Sequence, residues 1–334
     1  MSEQHPLLAL AGVTKRFGEP LSPMQRGLNL LGANHQAQHV HAVDRVSLSV
    51  DKKEVVALVG ESGCGKSTLA RMAVGLIQPD AGTRSWLGQN MDTMSSQQQH
   101  ATRLSIQMIF QDPYASLNPR MRAIDSVTQA PLRHGLISAG EQSEFAHALF
   151  AKVGLAPELL DRYPHQLSGG QRSRLGIARA LAVNPQFLVC DEAVAALDVS
   201  IQAQVLNLFV QLRADLDLTY LFISHDLGVV RHLADRVVIM YLGRVVEEGR
   251  SSEIFSRANH PYTQALLAEM PTLRLERKTY HPVSGEMPSS MHPPQGCHFH
   301  PRCPHATPQC AQVAPVLREI APGHRSACHL NDMP

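Results

Sequence analysis

The stretch Gly60-Glu61-Ser62-Gly63-Cys64-Gly65-Lys66-Ser67 most narrows what this chain can fold into. It follows a short apolar run, residues 54–59, of strand character, and precedes Thr68 to Leu76, spaced as a helix buried on one side. Glycines in such a loop let backbone N–H groups close around a phosphate with no Cβ in the way. The helix that follows points its positive end at the same charge. Between a strand and a helix, the G-x-x-x-x-G-K-S spacing reads as a phosphate-binding loop. Gly60 to Thr68 are then expected to cradle a nucleotide, Lys66 reaching the β- and γ-phosphates and the Ser67 hydroxyl holding Mg²⁺.

A chain of 334 residues that is 44% hydrophobic can bury one large core with a smaller appended lobe, or two modest domains. No apolar run approaches the length of a membrane span, and Met1 to Pro6 lack a signal-peptide layout, so a soluble, cytosolic protein is expected. Thirty basic against 29 acidic residues, net charge +1, give no argument for nucleic acid as a partner. The six cysteines are not expected to be paired in a cytosolic chain. Cys64 and Cys190 read as small space-filling residues, whereas Cys297, Cys303, Cys310 and Cys328 cluster near the end.

Leu7 to Phe17 reads as a strand, residues 19–38 as an exposed insertion, and His41 to Val50 as a half-buried strand with alternating Val43, Val46, Leu48 and Val50. The strands suggest a small antiparallel sheet beside the loop. Phe17 is placed either to stack on a base or simply to pack. Pro79 to Gly82 reads as a turn, Thr83 to Leu87 as a strand, Ser95 to Arg103 as a helix, and Leu104 to Phe110 as a strand ending at Gln111. That amide is positioned for Mg²⁺ or a water, or is an ordinary edge glutamine. Residues 114–165 change character, with amphipathic segments at 121–134 and 141–154, and read as a helical insertion.

The insertion ends at Leu167-Ser168-Gly169-Gly170-Gln171, a second candidate anion site at the start of a helix. Phe187 to Glu192 is a buried strand that delivers two carboxylates to its C-terminal end, where ligands of parallel sheets bind. Asp191 suits Mg²⁺ through water, and Glu192 suits polarising an attacking water. Asp198 suits capping of the next helix. Leu218 to Ile223 reads as a strand ending near His225, on the same rim, where a histidine meets a γ-phosphate or is merely structural. Val237 to Tyr241 and Arg244 to Glu248 read as a hairpin.

The ordered set Gly60 to Ser67, Gln111, Leu167 to Gln171, Asp191-Glu192, Asp198 and His225 resembles the ATP-binding cassette ATPases over residues 7–256. There these elements are the Walker A loop, Q-loop, signature motif, Walker B, D-loop and switch histidine. The resemblance implies an α/β P-loop NTPase fold: a RecA-like core, an antiparallel β subdomain, an α-helical subdomain and a C-terminal accessory tail. It implies ATP and Mg²⁺ as ligands. Ser67, Gln111 and Asp191 would be on the metal, Glu192, His225 and Gln111 in catalysis, and Phe17, the 167–171 motif and Asp198 against nucleotide. Ala193 and Ala195 depart from the usual Pro and Ser, implying altered local stiffness with hydrolysis retained.

Arg162-Tyr163-Pro164-His165, Gln111 to Tyr114, Ser116 to Pro119, His260-Pro261-Tyr262-Thr263 and Pro293 to Cys297 resemble the dipeptide/oligopeptide importer branch of that family. The resemblance implies a cassette at 1–256 with helices at about 112–180, and an extension at 257–334 that is Cys-rich over 297–328. It implies a second, homologous ATPase paired head to tail, two membrane permease subunits and a periplasmic peptide-binding protein, at the cytoplasmic face of a bacterial inner membrane. Import of nickel or of antimicrobial peptides, or a soluble non-transport cassette, are the alternatives. Residues 282–294 read as a linker, and the tail beyond as compact and without a core of its own. Its four cysteines lack the tight pair usual at zinc sites, which leaves a [4Fe–4S] cluster, zinc or bare thiols open.

Overall fold

The computed structural model describes residues 5–18, 39–270 and 285–332. The insertion expected at 19–38, the first four residues and the start of the proline-rich stretch lie outside the described residues. Strand β1 (Leu8–Phe17) pairs antiparallel with β2 (Val40–Val50), Leu8 opposite Val50 and Phe17 opposite Val40. Val43, Val46, Leu48 and Val50 all turn inward, as their alternation requires. Strand β3 (Val55–Val59) is buried at every residue, and the phosphate loop leads from it into α1 (Lys66–Ala73), which buries Leu69, Ala70, Met72 and Ala73. Strands β4 (Ala81–Trp86) and β5 (Gln89–Asn90) complete a four-stranded sheet, β2-β1-β4-β5. β4 begins at Ala81 because that residue, expected in the turn, already pairs with Thr14 of β1.

Helix α2 (Ser96–Ser105) starts at a capping box between Ser95 and Gln98, and β6 (Ile106–Ile109) follows. The insertion supplies α3 (Pro113–Ser116), α4 (Ala123–Arg133) and α5 (Gln142–Val153), which pack on α6 (Gly169–Leu181). Val127, Phe150, Val153, Leu175 and Ile177 join there in one apolar cluster with Leu188 and Tyr220 of the main sheet, so the helical part is rooted in the core. Next come β7 (Phe187–Asp191), α7 (Val199–Leu216), β8 (Thr219–Ile223), α8 (Leu227–Leu233), and the hairpin β9 (Arg236–Tyr241) and β10 (Arg244–Arg250). Strands β6-β7-β8-β3-β9 lie side by side and parallel, and their near-continuous apolar runs are what burial on both faces demands.

After α9 (Ser251–Arg257) and α10 (Pro261–Ala268), the tail departs from expectation. It holds α11 (Pro308–Gln312) and two short strands, β11 (Arg318–Ala321) and β12 (His324–Ser326), and β12 pairs with β10 so that the main sheet reaches eight strands. Nor is it coreless. Phe299 is fully buried against Tyr241 and Tyr262, with ring centroids 5.3 and 5.4 Å away. Of the linker expected at 282–294, the described part, 285–294, is tied to the cassette, since the His41 amide donates to Ser290 O at 2.9 Å.

One buried carboxylate fastens this arrangement. Glu247 on β10, fully buried, accepts the amides of Asn259 and His260 at 2.7 and 2.9 Å and pairs with His324 Nε2 at 2.7 Å. A carboxylate removed from water is tolerable only when its oxygens are filled in this way.

Candidate nucleotide site

A cleft of about 290 Å³ opens between the small sheet and the ends of the parallel strands. Phe17, Val40 and Ala42 line one wall, Ser62, Gly63 and Gly65 to Thr68 the floor, and Gln111 and Glu192 the far rim. Gly65 has φ +105°, and a Cβ there would stand 2.0 Å from Ala42 O, so the backbone of β2 rests where any side chain would be. Lys66 is buried and folds back on its own loop, its Nζ donating to Gly60 O at 2.8 Å and Glu61 O at 2.9 Å. Phe17 is half-exposed at the rim with the Lys15 ammonium 5.7 Å from its ring centroid.

Behind the floor, Ser67 Oγ donates to Asp191 Oδ1 at 2.9 Å. Asp191 is buried, and that burial pushes its carboxyl up from its ordinary value. An ionised oxygen pair held in a dry pocket with a hydroxyl beside it is the hard donor set that Mg²⁺ takes. Glu192, the next residue, has φ +48°, an uncommon conformation for a side chain of its size. This turns its carboxylate into the cleft, where Gln111 Nε2 donates to Oε2 at 2.8 Å and His225 Nδ1 lies 3.5 Å from Oε1. Glutamine, glutamate and histidine thus converge from β6, β7 and β8.

Other expected residues sit elsewhere. Leu167 to Gln171 do not line this cleft. Ser168 and Gln171 form a capping box on α6, with Gln171 N donating to Ser168 Oγ at 3.3 Å and Ser168 N to Gln171 Oε1 at 2.9 Å. Asp198 caps α7 through the Ile201 amide at 2.9 Å, and it too lies off the cleft. Cys64 points into the core, its thiol pushed up by burial. Glu61 carries contacts that motif spacing does not reveal, because they come from more than 200 residues away: its amide donates to Tyr262 Oη at 2.9 Å and its carboxylate meets Arg302 Nη1 at 3.0 Å.

The four tail cysteines are free thiols, each partly exposed. Burial raises Cys297 to about 11 and raises Cys303 and Cys328, with repulsion among the four thiols adding to it. The expected metal site is not matched: among the described residues no group of three or more His, Cys, Asp and Glu is disposed to hold a metal ion. Three nearby histidines spend ring nitrogens on carbonyls, His298 on Leu242 O, His300 on Cys297 O and His329 on Val313 O, each at 2.9 Å.

A strand, glycine loop and helix shaped to cradle phosphate, with a hydroxyl–carboxylate pair and a glutamate–glutamine–histidine rim, define a P-loop NTPase of the ATP-binding cassette class. The ABC transporter family matches residues 43–195, and the family described as oligopeptide/dipeptide transporter, C-terminal region, matches residues 246–310. The chain is 46% identical over 334 residues to the oligopeptide transport ATP-binding protein AppF of Bacillus subtilis, covering 98% of each chain. It is 50% identical over 268 residues to the oligopeptide transport ATP-binding protein OppF of Escherichia coli, covering 79% of this chain and 80% of that one. Among solved structures, the ATP-binding cassette MJ0796, a post-hydrolysis dimer bound to ADP and phosphate, superposes with TM-score 0.61 at 26% identity, over 73% of this chain and 98% of that one. The chain therefore belongs to the ATP-binding proteins of ABC transporters, in the oligopeptide and dipeptide branch. It is an ATPase coupled to transport, and no helix among its described residues is long and apolar enough to cross a membrane.

Proposed function

We propose that this chain is the ATP-hydrolysing subunit of a dipeptide or oligopeptide importer, with Glu192 as the group that polarises the attacking water. The observation that carries the reading is the convergence on Glu192 of Gln111 and His225, beside the Ser67–Asp191 pair. Lys66 exchanges its two loop carbonyls for the β- and γ-phosphates, so the loop holds its shape until nucleotide arrives. Ser67 and Asp191, with Gln111 adjacent, would hold Mg²⁺, which supplies neutralisation of the phosphate oxygens. Glu192 takes the proton of the water, Gln111 orients the carboxylate, and His225 hydrogen-bonds the γ-phosphate as charge develops. Phe17 offers its exposed face to the adenine.

Among the described residues the 167–171 motif does not line its own chain's nucleotide cleft, which supports head-to-tail pairing with a second, homologous cassette whose nucleotide it covers. ATP that touches both chains only when they are closed shifts the equilibrium toward closure, and hydrolysis releases it. Two permease subunits in a bacterial inner membrane and a periplasmic peptide-binding protein complete the machine. The chain sits peripherally at the cytoplasmic face, with cassette residues 1–256, the helical part at about 112–180 toward the permease, and the extension at 257–334. Relatives named for oligopeptide and dipeptide transport support this.

In the tail, a [4Fe–4S] cluster on Cys297, Cys303, Cys310 and Cys328 stays a proposal, supported by the soft donor type of four free, partly exposed cysteines. Iron and sulfide assay after anaerobic purification tests it, and colourless, iron-free, folded protein rejects it. For the main reading, Glu192→Gln is expected to bind MgATP while hydrolysis drops by about 100-fold or more. Retained turnover would remove the general-base role, and no peptide uptake from a deletion strain restored with the wild-type chain would remove the substrate assignment.

A further inference from the structure

We propose that Arg302 is a positioning residue for the phosphate loop, and that through it the C-terminal lobe sets how tightly the chain binds ATP. Its Nη1 lies 3.0 Å from both carboxylate oxygens of Glu61 and 3.3 Å from Tyr241 Oη, with the arginine side chain only 7% exposed. Glu61 is the second residue of the loop, and all of its polar groups are engaged. The carboxylate goes to Arg302, the amide donates to Tyr262 Oη at 2.9 Å, and the carbonyl accepts from Lys66 Nζ at 2.9 Å. The tail therefore holds the residue on which the phosphate-binding lysine rests.

The contact reaches the loop from a lobe with its own anchors. Arg302 closes a short turn that begins at His300, next to the buried Phe299, and Tyr262 belongs to α10. Nearby, the Met287 ε-methyl lies 3.6 Å from where a Cβ on Gly63 would stand. Three parts of the extension, at 262, 287 and 302, thus lie against one loop. A guanidinium–carboxylate pair whose arginine is buried is a directional constraint as well as a charge pair, and a loop already held in its binding shape loses less freedom when phosphate arrives. Disturbing the lobe at 297–303 would move Arg302 and loosen the loop without touching nucleotide.

The inference rests on ATP binding at this loop, and the experiment separates the two. ATP affinity is measured on the full-length chain by titration with a fluorescent ATP analogue and Mg²⁺, for wild type, Lys66→Ala, Arg302→Gln, Arg302→Lys, Glu61→Gln and the Arg302→Gln/Glu61→Gln double variant. A wild type that binds no better than Lys66→Ala sinks the ATP reading itself. With that passed, each glutamine variant is expected to raise Kd by about fivefold, and the double variant by no more than either alone, since both remove one interaction. Arg302→Lys is expected to keep most of the affinity, because the charge remains. Wild-type affinity in Arg302→Gln, or effects that multiply to about 25-fold in the double variant, overturns the proposal. If Arg302→Gln fails to fold, Glu61→Gln and Arg302→Lys decide: the first must weaken binding and the second must not, and any other pattern rejects the coupling.

Discussion

Gln111 donates from Nε2 to Glu192 Oε2 at 2.8 Å, joining the end of one parallel strand to the end of its neighbour across 81 positions of sequence. The pair fixes which way the glutamate faces, and Glu192 holds a left-handed backbone, φ +48°, that turns it toward the cleft. Replacing Gln111 by Ala leaves the carboxylate free to rotate while the phosphate loop is untouched. Hydrolysis is expected to fall about tenfold, the worth of one hydrogen bond to a charged group, with ATP affinity nearly unchanged. Steady-state rates beside equilibrium binding check this, and an equal loss in both would place Gln111 in nucleotide binding instead.

Asp191 gives a prediction whose sign depends on the metal. Burial raises its folded-state pKa, so the folded chain holds the proton more tightly than the unfolded chain does. Stability from this group is then present at low pH and lost as pH rises through the carboxylate range, unless a cation arrives to offset the charge. At neutral pH, Asp191→Asn is expected to raise the melting temperature of the metal-free chain and to abolish the further rise that MgATP gives wild type. Thermal unfolding with and without Mg²⁺ and ATP reads both, and a variant that Mg²⁺ and ATP stabilise as strongly as wild type would remove Asp191 from the metal.

The parallel core and the residues on the cleft were legible because each motif sits at a strand end, where apolar runs of five residues stop abruptly at a polar group. Asp191-Glu192 after Phe187 and His225 after Ile223 are read that way from one line of text. The tail was not legible. Strands of four and three residues, Arg318–Ala321 and His324–Ser326, are too short and polar to carry a period, and they exist because β10 offers an edge to pair with. The grip of Tyr262 and Arg302 on Glu61 was equally hidden, since contacts made across 201 and 241 positions leave no spacing pattern.

Acid should loosen the junction of tail and cassette. His260 is buried and its Nδ1, acting as the cap of α10, accepts the Tyr262 amide at 3.1 Å, a bond that only the neutral ring can take. Burial lowers it to about 4, and His298 is likewise lowered to about 4. Groups depressed on folding contribute stability above the unfolded value, near 6.5, and lose it as pH falls toward the folded one. Stability is therefore expected to fall between about pH 6.5 and 4, with His260 alone accounting for about 3 kcal/mol. In urea titrations His260→Asn should flatten that slope, because an asparagine cap carries no proton equilibrium; an unchanged slope would assign the loss to other groups.

Glu247 tests whether the tail is part of the folded core or an appendage. Its fully buried side chain fills two backbone amides and His324 Nε2. Glu247→Ala strands all three donors, and the expected cost is about 3 to 5 kcal/mol. If the tail folds with the cassette, far-UV and tyrosine signals should melt together at a lower temperature. A variant in which the tail alone becomes protease-sensitive, with the cassette melting as in wild type, would mean that the lobe is a separate cooperative unit.

Gly170 ties the second glycine motif to the helix that Asp198 begins. A Cβ built on it would stand 2.6 Å from Ile201 Cγ2, so α6 and α7 approach through the missing side chain. Gly170→Ala forces those helices apart and is expected to cost about 1 to 3 kcal/mol, the usual penalty of overpacking. Nucleotide binding to the single chain should survive, because the motif lies off the cleft, whereas hydrolysis in the assembled pair should fall as the α6 N-terminus shifts. Ile201→Ala made in the same chain removes the obstructing methyl and should restore both stability and rate. If it restores stability alone, the glycine is also needed for direct contact with the nucleotide held by the partner cassette, where even one methyl would intrude.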